Sequence, residues 1–213
     1  MCIRDRLTLI QPAILLTIAT ALGVWLAPKV NLSAPATQAF VNGKSIANAL
    51  KPQLLPGILG GLVGGIAIVL FAQWWLPNLP AEFVAAAETT TLPMLTRFLY
   101  GGITEEILLR WGFMTLLVWI PYRLFTQRTG HVPASFYIAA ILISAIVFGI
   151  GHLPIAALLA QGLTLSLTAY VVIGNALFGL IAGFLYWRLG LEAAIISHIF
   201  AHVAMLIGER IVG

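Results

Sequence analysis

The chain has 213 residues, 61% of them hydrophobic and 8% charged, with a mean hydropathy of +1.02. A soluble domain is about half apolar and about a quarter charged, so that class is excluded, and apolar runs of about 20 residues, the length that crosses a bilayer, recur along the chain. The net charge of +4 is scattered through short loops rather than gathered into the basic stripe of a nucleic-acid binder, and the single cysteine, Cys2, excludes an intrachain disulfide and a thiolate metal cluster.

The opening MCIRDR lacks the apolar core and cleavage site of a signal peptide and matches nothing else in the chain. It is as compatible with a foreign start, the natural protein beginning further upstream, as with a natural one. The first predicted span covers residues 7–27 and is closed by Pro28. A polar stretch with Lys29, Asn31, Asn42, Lys44 and Lys51 follows, and a glycine-rich second span over 54–76 ends before Pro77 and Pro80. A loop with Glu82 and Glu88 leads to Pro93 and a third span over 94–119.

Pro121 and the polar segment YRLFTQRTGHVP separate it from a fourth span, 134–152, which stops at His152 because Pro154 cannot continue the hydrogen-bond ladder. Residues 155–166 read as a short or re-entrant segment, followed by a fifth span over 168–187 and a sixth over 191–211. The pattern predicts one all-α integral membrane domain over 1–213, a polytopic transmembrane bundle of about six spans with a membrane-embedded cavity.

Two glycine patterns point to close helix contact. Gly57, Gly61 and Gly65 recur every four residues, as do Gly60 and Gly64, and Gly179 and Gly183 repeat the spacing in the fifth span. Small residues at this interval let membrane helices approach tightly, here in packing within the chain rather than dimerisation. Orientation follows the basic residues: Lys29, Lys44, Lys51, Arg123, Arg128 and Arg188 fall on one side. Arg4, Arg6, Arg97 and Arg210 fall on the other beside Glu82 and Glu88, so the first side is the cytoplasmic one.

Ionisable groups in a bilayer cost at least ~2.5 kcal/mol each near its centre, so they mark function or a specific partner. Within the predicted spans they are Glu105, Glu106, Arg110, His152, His198 and His202. Glu106 and Arg110 stand four apart with the acid first, the favourable order for a helical ion pair. Glu105 is turned away by about 100° on an α-helix, onto a stripe with Gly101, Gly102, Leu109 and Gly112. The division predicts a braced Glu106 and a Glu105 left free to react, with glycines opening a niche beside it. His198 and His202 are also four apart, on one helix face, and His152 sits at a helix end where water can reach it.

Taken singly, such histidines can simply bond a neighbouring helix, and an acid–arginine pair can be a clamp. Taken together, E105-E106-x-x-x-R110, F148-x-x-x-H152 and H198-x-x-x-H202 resemble the CPBP family of intramembrane proteases. That family includes type II CAAX prenyl endopeptidases and bacterial bacteriocin-processing, self-immunity and abortive-infection-like proteins. The segment LYWRLGLEAAIISHIFAH is similar to its last helices.

The resemblance implies a protease core over about 92–207 and an intramembrane endopeptidase acting on a membrane-associated or prenylated, CAAX-like protein or peptide. Its catalytic residues would be Glu105, His152, His198 and His202: Glu105 and His152 activate a water, and His198 polarises the scissile carbonyl or stabilises its oxyanion. Glu106 and Arg110 give structural support. The family usually has Asn where this chain has His202, which changes the geometry and protonation of that donor.

Cofactors are either none or zinc. Glu105, His152, His198 and His202 are the possible metal ligands, and Ile199 stands where an HExxH zinc motif carries its glutamate. The resemblance further implies a bacterial cytoplasmic (inner) membrane, a lipid bilayer partner and no nucleic acid, and leaves the oligomeric state open. Two other functions remain: a catalytically inactive immunity or scaffold protein of the same fold, and a proton-coupled transporter, against which stands the lack of an inverted repeat.

Overall fold

A computed structural model of the chain describes residues 3–90, 92–126 and 131–212, with side chains described from residue 10. Met1, Cys2 and Arg128 therefore lie outside the described residues, and Arg4 and Arg6 outside the described side chains. Every regular element among the described residues is helical. In chain order they are α1 (Ile3–Leu26), α2 (Pro35–Val41), α3 (Ile46–Trp75) and α4 (Ala81–Thr89). A continuous helical run over 94–125, here α5, follows. Then come α6 (Ala134–Gly151), α7 (Leu153–Leu159), α8 (Leu165–Leu189) and α9 (Leu191–Val212).

Among the described residues five stretches are long and apolar enough to cross a bilayer: Ile10–Val30, Ile46–Asn78, Ala134–Leu159, Leu165–Leu189 and Leu191–Ile211. The chain is thus an all-α polytopic bundle of an integral membrane protein. The spans start where local chemistry lets them. Ser45 caps α3 by accepting the Asn48 N–H at 3.3 Å, so this helix begins at Ile46 rather than at residue 54. Pro52 and Pro56 lie inside it, tolerated because neighbouring groups re-satisfy the backbone. Part of the polar stretch after the first span also coils, as α2, and the Glu82–Glu88 loop is α4.

The third expected span, in α5, is not among those five, and its winding differs from theirs. From Arg97 to Met114, except at Glu106, α5 is π-helical, with backbone bonds closing on the fifth residue rather than the fourth. Two hydroxyls follow the wider winding: Thr104 donates to the Leu99 carbonyl and Thr115 to the Arg110 carbonyl, each at 3.2 Å and five residues back. The run still traverses the bundle. Arg97 at its start pairs with Glu209 near the end of α9, while Trp119 and Tyr122 at its far end share a pocket with Trp25 and Lys29 at the end of α1.

The glycine patterns are consumed inside the chain. Gly57, Gly61 and Gly65 of α3 lie against Ile196, Ser197 and Ala201 of α9. Gly60 and Gly64 face Leu185, Phe178 and Ile181 of α8, and Gly179 and Gly183 face Ala145 and Ile141 of α6. Gln53 ties α3 to α9 by accepting the Ala193 N–H at 2.9 Å, at the start of α9. Between α8 and α9 the chain turns at Gly190, whose φ of +115° suits glycine alone.

A methyl group added at Gly61 would press on the Ser197 carbonyl and the Ala201 nitrogen, backbone atoms that cannot swing aside. Gly61→Ala is expected to destabilise the bundle by about 1–3 kcal/mol or more, read as a lower midpoint of thermal unfolding in detergent. Gly151→Ala, where nothing lies within 4 Å, is the matched control and leaves the midpoint unchanged.

Candidate active site

The six ionisable residues singled out in the sequence come together where α5, α8 and α9 meet the end of α6. Glu106 and Arg110 are wholly buried, with Arg110 Nε 3.3 Å from Glu106 Oε2. The guanidinium also donates through Nη2 to the Gly179 carbonyl at 3.1 Å and lies over the Phe148 ring, 5.1 Å from its centroid. An unpaired charge at such depth is costly, and both charges here have partners.

Glu106 has a second partner that local spacing does not reveal. Its Oε1 meets Nδ1 of His198 at 2.7 Å, across 92 positions of sequence. Nδ1 therefore carries the proton toward the carboxylate, and the other ring nitrogen, Nε2, is presented to Glu105. Glu105 keeps 17% of its side chain exposed, against none for Glu106. Its two oxygens stand 3.9 Å from His198 Nε2 and 4.0 Å from His152 Nε2. Those gaps exceed a direct hydrogen bond, and polar groups at such a separation are spaced for an intervening water.

His152 ends α6, as Pro154 requires, and its Nδ1 lies 2.9 Å from the Phe148 carbonyl one turn earlier. That contact turns Nε2 toward Glu105. Phe148 abuts both rings edge-on, 4.8 Å from His152 and 5.8 Å from His198, and Phe178 covers His198 at 4.5 Å. His202 stacks on His198 with centroids 5.0 Å apart and ring planes 20° from parallel. Neither of its nitrogens, both buried, has a hydrogen-bond partner among the described residues.

Glu105, His152, His198 and His202 line one cavity of about 330 Å³, walled mostly by apolar and aromatic side chains such as Phe71, Phe83 and Ile155, with Arg97 and Thr96 also on its wall. Asn175 of α8 lines it too. Its Nδ2 donates to the Val171 carbonyl at 2.8 Å, leaving its carbonyl oxygen and second N–H for the cavity. Sequence reasoning missed Asn175 because it sorted only ionisable groups. The available signal was that Asn175 is the one amide side chain in the stretch 168–187.

The glycine niche expected beside Glu105 is differently arranged. The π winding spreads the stripe, so Gly101 faces His202, Gly102 faces Ile199 and Gly112 faces Ala19 of α1. Gly101 thus makes room for the His202 ring. Gly101→Ala would push that ring from its place against His198 while leaving the buried ion pair intact. The expected result is a folded protein whose cleavage rate falls, read by activity alongside thermal unfolding.

Among the described residues no three His, Cys, Asp or Glu side chains are disposed to hold a metal ion. The arrangement suits proton transfer at a carboxylate flanked by imidazoles.

The family model described as type II CAAX prenyl endopeptidase Rce1-like matches residues 87–204. The chain belongs to the Rce1-like family. The matched region begins in α4, contains the whole of α5 to α8 and ends in α9, so it holds Glu105, His152, His198 and His202. Rce1-like membership carries the general activity of a protease and favours hydrolysis over proton-coupled transport. No curated protein and no solved structure gives a significant match to the chain.

Proposed function

We propose that the chain is a metal-independent intramembrane endopeptidase in which Glu105 activates the attacking water. The observation that carries this reading is the Glu105 carboxylate, suspended 3.9 and 4.0 Å from two imidazole Nε2 atoms on the wall of a cavity. A water between these groups is polarised by His152 and gives its proton to Glu105 as its oxygen attacks the scissile carbonyl carbon. The carbonyl oxygen becomes an oxyanion, stabilised by N–H donation from His202, whose unpartnered nitrogens suit that task, while His198, its proton on Nδ1, orients the water through Nε2. When the C–N bond breaks, the proton held by Glu105 passes to the departing amine, so the carboxylate is regenerated.

Glu106 and Arg110 act behind this set. Glu106 fixes the tautomer and the angle of His198, as the third member of a catalytic triad fixes its histidine. Arg110 holds Glu106 in place. The phenylalanine-rich walls suit an apolar chain segment, so the substrate is a membrane-associated or prenylated, CAAX-like protein or peptide that reaches the cavity from the lipid. The reading extends to a bacterial cytoplasmic membrane, with the lysine-bearing end of the bundle inside.

The test is cleavage of a labelled prenylated peptide and of a small membrane protein by the purified chain, with and without a strong chelator. Cleavage of at least one substrate, at a rate the chelator leaves unchanged, is expected. Activity lost to chelator and restored by zinc contradicts the metal-independent mechanism.

A further inference from the structure

We infer that the chain carries a binding site for the headgroup of an anionic phospholipid, at the end of the bundle away from Glu105 and independent of the protease reading. The site is a pocket of about 430 Å³ between the end of α1 and the end of α5, lined by Trp25, Lys29, Trp119, Tyr122 and Arg123. It holds two cations and no acid. Neither Lys29 nor Arg123 forms an ion pair among the described residues, so their charge is uncompensated by the protein.

The aromatic groups set the depth. Trp25 and Trp119 approach with ring centroids 6.2 Å apart, and Lys29 Nζ lies 3.8 Å above the Trp25 ring. Tryptophan and tyrosine gather where hydrocarbon gives way to headgroups, and Trp25 immediately precedes the last residue of α1. The cations therefore lie at headgroup level, where a basic pocket between transmembrane helices meets the phosphates of lipids. This is also the basic end of the bundle: Lys44, Lys51 and Arg188 belong to it, and its acid Glu192 is occupied by Thr37, accepting from its N–H and hydroxyl at 2.8 and 3.0 Å. A headgroup phosphate fits between Lys29 and Arg123, with acyl chains running down the exposed apolar face of α1, where Ile14, Ile18 and Val24 point outward. A free phosphate shares the headgroup's charge but gains nothing from that face.

Native mass spectrometry in neutral detergent, with equal phosphatidylglycerol and phosphatidylcholine of the same acyl chains, reads the preference directly. The wild type is expected to retain phosphatidylglycerol selectively. Each basic residue at an anionic surface contributes about a fivefold factor, so Lys29→Ala/Arg123→Ala is expected to lower the selectivity about thirtyfold. Lys44→Ala/Lys51→Ala, at the same end but outside the pocket, leaves it intact, and inorganic phosphate at the lipid's concentration does not displace the lipid. Equal retention of the two lipids by the wild type overturns the site. So does an equal loss in both double variants, or displacement by inorganic phosphate. Thermal unfolding of both double variants within the wild-type range excludes misfolding as the cause of a loss.

Discussion

Replacing Glu106 with alanine is expected to destabilise the protein by about 3–5 kcal/mol, the range for removing one member of a buried ion pair. Arg110 has no exposed surface, and its remaining partners would be the Gly179 carbonyl at 3.1 Å and the face of Phe148. Neither neutralises a charge. His198 loses its 2.7 Å contact at the same time, so any folded fraction has an unanchored imidazole. Glu106→Gln separates the two effects, because it retains side-chain volume and one acceptor oxygen but neither the charge nor the second acceptor. It is expected to fold better than the alanine variant and still to cleave poorly. Thermal unfolding in detergent checks the first claim, and the ratio of kcat to KM at matched folded protein checks the second.

Glu105→Gln is expected to act in the opposite way, removing catalysis while leaving the fold. Glu105 keeps 17% of its side chain exposed and has no hydrogen bond of its own to lose, standing 3.9 and 4.0 Å from the two histidines. An amide of the same size therefore costs little stability. It cannot accept a proton from water, and loss of a general base costs about 10²–10⁴ in rate. Unfolding midpoint and peptide binding should match the wild type. A variant that fails to fold would instead mean that Glu105, like Glu106, holds the bundle together.

The pairing of these two neighbours was legible in sequence because i, i+4 spacing survives into structure as the Glu106–Arg110 contact. Polar residues in a chain this apolar identified themselves, so the histidines were found, and most span starts followed from hydropathy, save where Ser45 starts α3 early, where the fourth span runs on to Leu159 and where the third is not among the candidate spans. What escaped depends on contacts between distant segments. The Glu106–His198 bond joins residues 92 apart and turns a brace into a positioning group. The π winding of α5 comes from bonding choices along the backbone that hydropathy does not record, and it redirects Gly101, Gly102 and Gly112 to three different neighbours. Asn175 was overlooked because an uncharged amide satisfied by its own helix leaves no charge to notice, although it faces the same cavity. The metal set illustrates the converse. Residue types and spacing admitted zinc, and among the described residues no three such side chains are disposed to hold a metal ion, a matter of packing that spacing does not record.

The most direct measurement is the rate at which Glu105→Gln, reconstituted in a bilayer and shown to unfold at the wild-type temperature, cleaves a peptide that the wild type cleaves. The expected result is cleavage slower than wild type by about 10²–10⁴-fold. Cleavage at the wild-type rate contradicts the assignment of Glu105 as the residue that activates water.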